Sequence, residues 1–271
     1  MHTILIVAGF SLAGLLLGAG LLHLLGVMGT IGRSIGDCLG RAPMLDILIT
    51  YFTVLPPIVG AIVVGWAGVV GGILGQVLAL LIWSWLHEFA HPEARKGPRI
   101  VKEINRLVGR PRNHLALWIT TIAVPAFWLL RVTELIVYPC LIVLVRFPRY
   151  KQGEWVNVSR YKFEGLVGHD LIWCLYCDWM TGLWSLGSEM LRNLESFWCP
   201  IRFYSGKKCE NCTLDFPDIE GGWVNADATM TDVTELLKEK YTADPTRNAW
   251  YGHPIRLTVE REAINDTKKE S

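Results

Sequence analysis

After Asp46 the chain has no Lys, Arg, Glu or His until it has passed Leu86. That uncharged run is about twice the ~20 residues needed to cross a bilayer core, so it reads as two membrane spans. Other absences narrow the function. No Gly-rich loop leads into Lys-Ser/Thr, which leaves ATP hydrolysis without its usual phosphate cradle. The net charge is only +1, and no concentrated basic face stands outside the loops between spans, so a nucleic-acid partner has no footprint. Met1 to Gly29 lacks a positive leading segment and outruns the ~7 to 15 residue core of a signal peptide, so it is expected to remain as a span. No inverted repeat is visible.

What is present divides by composition. Residues 1–148 hold nearly all the long apolar runs and are expected to form an α-helical multi-span membrane domain of about three to five hydrophobic helices. Residues 149–271 interleave charge, Trp and Cys and are expected to form a small α+β domain on the cytoplasmic side, with a disordered end. The spans fall near Thr3–Gly29, Leu45–Val70 and Ile73–His87, with a turn expected at Gly71-Gly72 and a kink or break at Pro56-Pro57, where two backbone donors are missing. Gly14 and Gly18 share one face of the first span and favour close packing of another helix of the same chain.

Seven Lys or Arg residues lie between Pro92 and Asn113, which marks that loop as cytoplasmic. Arg33 and Arg41 then face the same way, and the N-terminus lies outside. His114 to Phe147 reads as a hairpin with Arg131 and Glu134 near its tip, three residues apart and able to pair. A single tilted span plus an interfacial helix is the alternative. Beyond it, Glu164 to Trp198 reads as an amphipathic helix with several Trp and a break around Gly182 to Gly187, suited to the bilayer surface or to packing against the membrane domain. Pro200–Tyr204 and His253–Val259 read as strands, and Thr231–Tyr241 as a helix.

Two places could carry chemistry. Cys174, Cys177, Cys199, Cys209 and Cys212 form two C-x-x-C pairs around a single Cys. Close thiol pairs can chelate a tetrahedral metal, and a cytosolic setting disfavours disulfides. Zinc is the first choice; an iron–sulfur cluster is the runner-up because the spacings match no ferredoxin pattern. Lys207 to Cys212 reads as a metal-binding turn, with Cys199, Cys174 and Cys177 as further ligand candidates. Disulfides in an inverted topology, with sequons at Asn157, Asn211 and Asn265, and plain packing remain alternatives.

The other place is His87-Glu88-Phe89-Ala90-His91 at the end of the third span. These five residues resemble the H-E-x-x-H motif of zincins, including its use in intramembrane site-2 proteases. The resemblance implies His87 and His91 as zinc ligands and Glu88 as general base. Pro92 favours an extended His91, and no later Asp-Gly segment supplies a third ligand. The leading expectation is an integral membrane accessory or interaction protein with a structural metal in its Cys-rich domain, touching lipid and a protein partner. A membrane zinc hydrolase using His87, Glu88 and His91 is the first alternative, and a small-solute or ion carrier the second, motivated by Pro56-Pro57 and Arg131/Glu134.

Overall fold

The computed structural model describes residues 1–145, 147, 149–215 and 219–240. The chain is mostly helical, and no strand occurs among the described residues. It groups into two compact units, Met1–Pro125 with Val156–Gly182, and Ala126–Trp155 with Leu183 onward. This grouping differs from the compositional division at residue 148, because Val156–Gly182 is hydrogen-bonded to loops of the first unit.

The first unit contains α1 (His2–Val27), α2 (Gly29–Leu39), α3 (Met44–Thr53), α4 (Leu55–Val64), α5 (Trp66–Ala90), α6 (Pro92–Lys96), α7 (Ile100–Val108) and α8 (Arg110–Thr120). Helices α1 and α5 have 26 and 25 residues, enough at ~1.5 Å per residue to cross a ~30 Å hydrocarbon layer. The helical stretch Arg110–Val145 is also long and apolar enough, and α3 with α4 would make a further span bent by 51°. Phe10, Ile62, Val63, Trp66, Val143 and Leu144 point outward, as lipid-facing side chains do. The chain therefore has the helices of an integral membrane protein.

The reversal between α4 and α5 lies at Gly65, whose φ of +66° is open to glycine, and Gly71-Gly72 sits inside α5 instead. Packing explains the difference. A Cβ on Gly71 would stand 2.8 Å from the Ile4 carbonyl oxygen, one on Gly75 2.7 Å from that of Ala8, and one on Gly72 2.8 Å from that of Pro56. The glycines let α1 and α4 approach α5 backbone to backbone. Gly14 and Gly18 do the same for Tyr51, whose hydroxyl donates to the Gly14 carbonyl at 2.5 Å, so that face packs within the chain as expected.

The break at Pro56-Pro57 is present between Thr53 and Leu55. Missing N–H groups at residues 56 and 57 free the carbonyls of Phe52 and Thr53, four positions earlier. Gln76 of α5 donates its side-chain amide to both, at 2.9 and 2.7 Å. The broken helix is thus re-satisfied by a neighbour.

The second unit contains most of α9 (Val124–Val145), α10 (Gln152–Trp155), the later part of α11 (Gly168–Trp198), α12 (Gly206–Asp215), α13 (Ile219–Gly222) and α14 (Met230–Lys240). Arg131 and Glu134 lie in the middle of the continuous α9, which replaces the expected hairpin tip; at 0% and 3% exposure they pair at 2.8 Å, and Gln152 accepts from Arg131 at 2.8 Å. The reason is visible in the pair itself, since neutralised charges no longer demand a water-facing turn. Helix α11 runs unbroken through Gly182 and Gly187, and Gly187 packs against Leu130 and Glu134.

The expected strand Pro200–Tyr204 makes only an isolated parallel bridge, Ile201 with Val224. The α+β expectation is therefore not met among the described residues; His253–Val259 lies outside them. The helix expected over 231–241 is α14.

Candidate functional site

The last two turns of α5 carry Ser84, His87 and Glu88, and His91 caps it at φ −123° and ψ 68°, outside the helical region that a following proline disfavours. Against this turn sits the start of α11. Gly168 has φ +52°, and a Cβ there would overlap the Glu88 side chain and stand 2.7 Å from the Ser84 carbonyl oxygen, so both conformation and space select glycine. Its N–H donates to His87 Nδ1 at 3.2 Å, and that of His169 to Glu88 at 3.4 Å.

Arg99 joins the pieces. It is buried, and its guanidinium donates through Nη2 to Glu88 at 2.8 Å, through Nε to Asp170 at 2.8 Å and to the Val167 carbonyl at 3.3 Å. A planar fork presents donors in fixed directions to two carboxylates at once, which the rotating point charge of an ammonium does not. Burial works against the charge on Arg99, but the hydrogen bonds of Glu88 and Asp170 outweigh it and hold the pKa above the ordinary value. Burial likewise pushes Asp170 up, and its bonds to His169 and Arg99 win, keeping the carboxyl below the usual range. The other Asp170 oxygen accepts the Val101 N–H at 3.0 Å and so caps α7. Asp170 also stands in the first turn of α11, where negative charge suits the helix dipole.

Beside this clamp three imidazoles gather. His23 of α1 contacts the rings of His87 and His91 edge-on at 5.8 and 5.6 Å between centroids, and those two stack at 4.4 Å. Because His87 Nδ1 accepts an amide proton, the neutral ring carries its hydrogen on Nε2 and offers no lone pair there. His91 Nδ1 bonds the His87 carbonyl at 2.9 Å, which leaves its Nε2 as an acceptor. The structure brings His87, Glu88 and His91 together, but it engages Glu88 with Arg99 instead of leaving it beside a water site.

The cysteines are placed differently. Cys174 and Cys177 are in the first unit and Cys199, Cys209 and Cys212 in the second, all as free thiols. Cys209 and Cys212 lie on helix α12, which replaces the expected turn. Cys212 is packed in an apolar cluster with Ile219 and Trp223, and burial pushes its thiol pKa up; burial does the same to Cys174. Among the described residues no group of three or more His, Cys, Asp or Glu has an arrangement that could hold a metal ion.

In the second unit, the later part of α11 turns polar groups inward. Asn193 donates to the Tyr150 hydroxyl and to Glu189, Tyr150 donates its N–H to the Tyr138 hydroxyl, and Trp223 donates to Ser196 at 3.1 Å. Trp184, Leu191 and Trp198, seven residues apart, are exposed on the same helix. Sequence reasoning missed Arg99, Gly168 and this stripe. Gly165 and Gly168 just before a helical pattern were the available signal for the second, and the seven-residue repeat for the third.

No protein family, curated protein or solved structure matches the chain.

Proposed function

We propose that the protein is an integral membrane accessory protein that docks a helix of a protein partner on α11 at the membrane surface. The observation that carries this reading is the exposed Trp184–Leu191–Trp198 stripe on a helix whose polar Glu189, Asn193 and Ser196 are buried. A seven-residue spacing sets the three side chains in one line along the helix, as one of the two positions of a helix-on-helix seam does. It is also narrow. Ser188, Arg192 and Glu195 border it, and Arg192 pairs with Glu195 at 2.8 Å, whereas a helix sunk in lipid needs a wider apolar arc.

The engagement of Glu88 by Arg99 favours this reading over a hydrolase, and the closure of the Pro56-Pro57 break by Gln76 favours it over a carrier. A structural zinc ion on Cys209 and Cys212 is not needed by it. The cytoplasmic placement of Val156–Gly182 is supported by its bonds to both basic loops: Arg99 to Asp170, Tyr161 to Asp37 at 2.8 Å, and the Arg41–Asn157 bridge.

The test is the native mass of the full chain extracted from its own membranes in mild detergent, compared with Leu191→Glu. The wild type should run as a complex heavier than two copies of the chain, and the variant as a single chain with an unchanged thermal midpoint. A wild-type mass of one chain or two copies, or a variant that keeps the complex, would overturn the proposal.

A further inference from the structure

Helix α7 has no buried side chain, yet it is fixed at both ends. Arg99 before it is clamped to Glu88 at the end of α5 and to Asp170, which also holds the Val101 N–H. After Gly109 the chain enters the apolar stretch Arg110–Val145. Both ends therefore stand where candidate spans meet the membrane surface. Within α7, Val101 and Asn105 are half-buried, and Asn105 accepts from Asn113 at 2.9 Å. Ile100, Ile104, Leu107 and Val108, spaced i, i+4, i+7 and i+8, are exposed together on one face.

Lys102 and Arg106 lie on the other side of the helix. Between Pro92 and Asn113, with Arg99 paired internally, six basic side chains remain against Glu93 and Glu103. We propose that α7 lies in the plane of the bilayer surface, with Ile100, Ile104, Leu107 and Val108 in the acyl boundary of a leaflet that carries anionic phospholipid. The basic excess supplies the charge complementarity, and the span ends on either side place the apolar face at headgroup depth. This rests on the integral-membrane reading above, not on the partner helix at α11.

A nine-residue helix with no buried side chain is not stable alone in water, so amide exchange reports its docking. The full chain is reconstituted in nanodiscs of phosphatidylcholine, with or without phosphatidylserine, and hydrogen exchange is followed over residues 100–108 at low salt. Exchange should be roughly tenfold slower with phosphatidylserine. The slowing should shrink in Lys102→Gln/Arg106→Gln and vanish in Leu107→Glu, while the interior of α5 keeps its protection throughout. Equal exchange in the two lipids, or slowing that survives Leu107→Glu, would overturn the proposal. A chain that does not enter the discs would overturn the integral-membrane reading along with it.

Discussion

Arg99 could be read in the sequence only as one of seven loop cations, because nothing local distinguishes a buried arginine from a solvated one. Its partners Glu88 and Asp170 are 11 and 71 residues away. Breaking a buried pair by removing one partner costs about 3–5 kcal/mol. Since Glu88 still holds part of Arg99, Asp170→Asn should cost about 3 kcal/mol, read as a lowered thermal midpoint in detergent. The lowered pKa of Asp170 gives the pH dependence its sign: the unfolded chain takes up the proton first. The stabilisation is complete above the unfolded value of ~3.9 and is lost as pH falls through the lower folded value. Wild type should therefore lose stability below about pH 4, and Asp170→Asn should lose less over that range.

The two cysteines of α12 are likewise separable. Cys212→Ser places a hydroxyl against Ile219 and Trp223 and should cost about 1–2 kcal/mol, whereas the less buried Cys209→Ser should change little. Equal destabilisation, with metal lost from both in elemental analysis, would instead support the zinc reading.

At the level of elements, the apolar periods marked α1, α5 and α14, and the double proline marked the break before α4. One turn was misplaced, and the reason is physical. Glycine at a helix–helix contact and glycine at a reversal look alike in a sequence, and Gly71-Gly72 serves the first use while Gly65 serves the second. Arg131 and Glu134 misled in a similar way, because charges suggest a water-facing tip unless their pairing is known. Strand propensity in Pro200–Tyr204 was overridden by the absence of a partner strand among the described residues.

The role of Gln76 is open to direct test. Gln76→Leu keeps the volume of the side chain and leaves the Phe52 and Thr53 carbonyls without their donor in apolar surroundings. An unsatisfied buried group costs about 1–3 kcal/mol, so the thermal midpoint should fall by a corresponding amount; an unchanged midpoint would show that water or lipid replaces the amide.

For the molecule as a whole, the membrane class was legible because an uncharged run twice the bilayer thickness has few other uses, whereas the side on which each segment lies depends on contacts far apart in sequence. The bonds from Val156–Gly182 to Asp37, Arg41 and Arg99 require that these segments share one face of the membrane. Cys38 and Cys177 are both exposed and sit on the two partners of that arrangement. The decisive measurement is labelling by a membrane-impermeant maleimide in chains that keep Cys38 or Cys177 alone, with buried Cys212 retained in both. Each should be labelled only after the membrane is permeabilised. Labelling of Cys177 in intact cells while Cys38 stays protected would put the segments on opposite sides, and the Glu88–Arg99–Asp170 clamp could not exist.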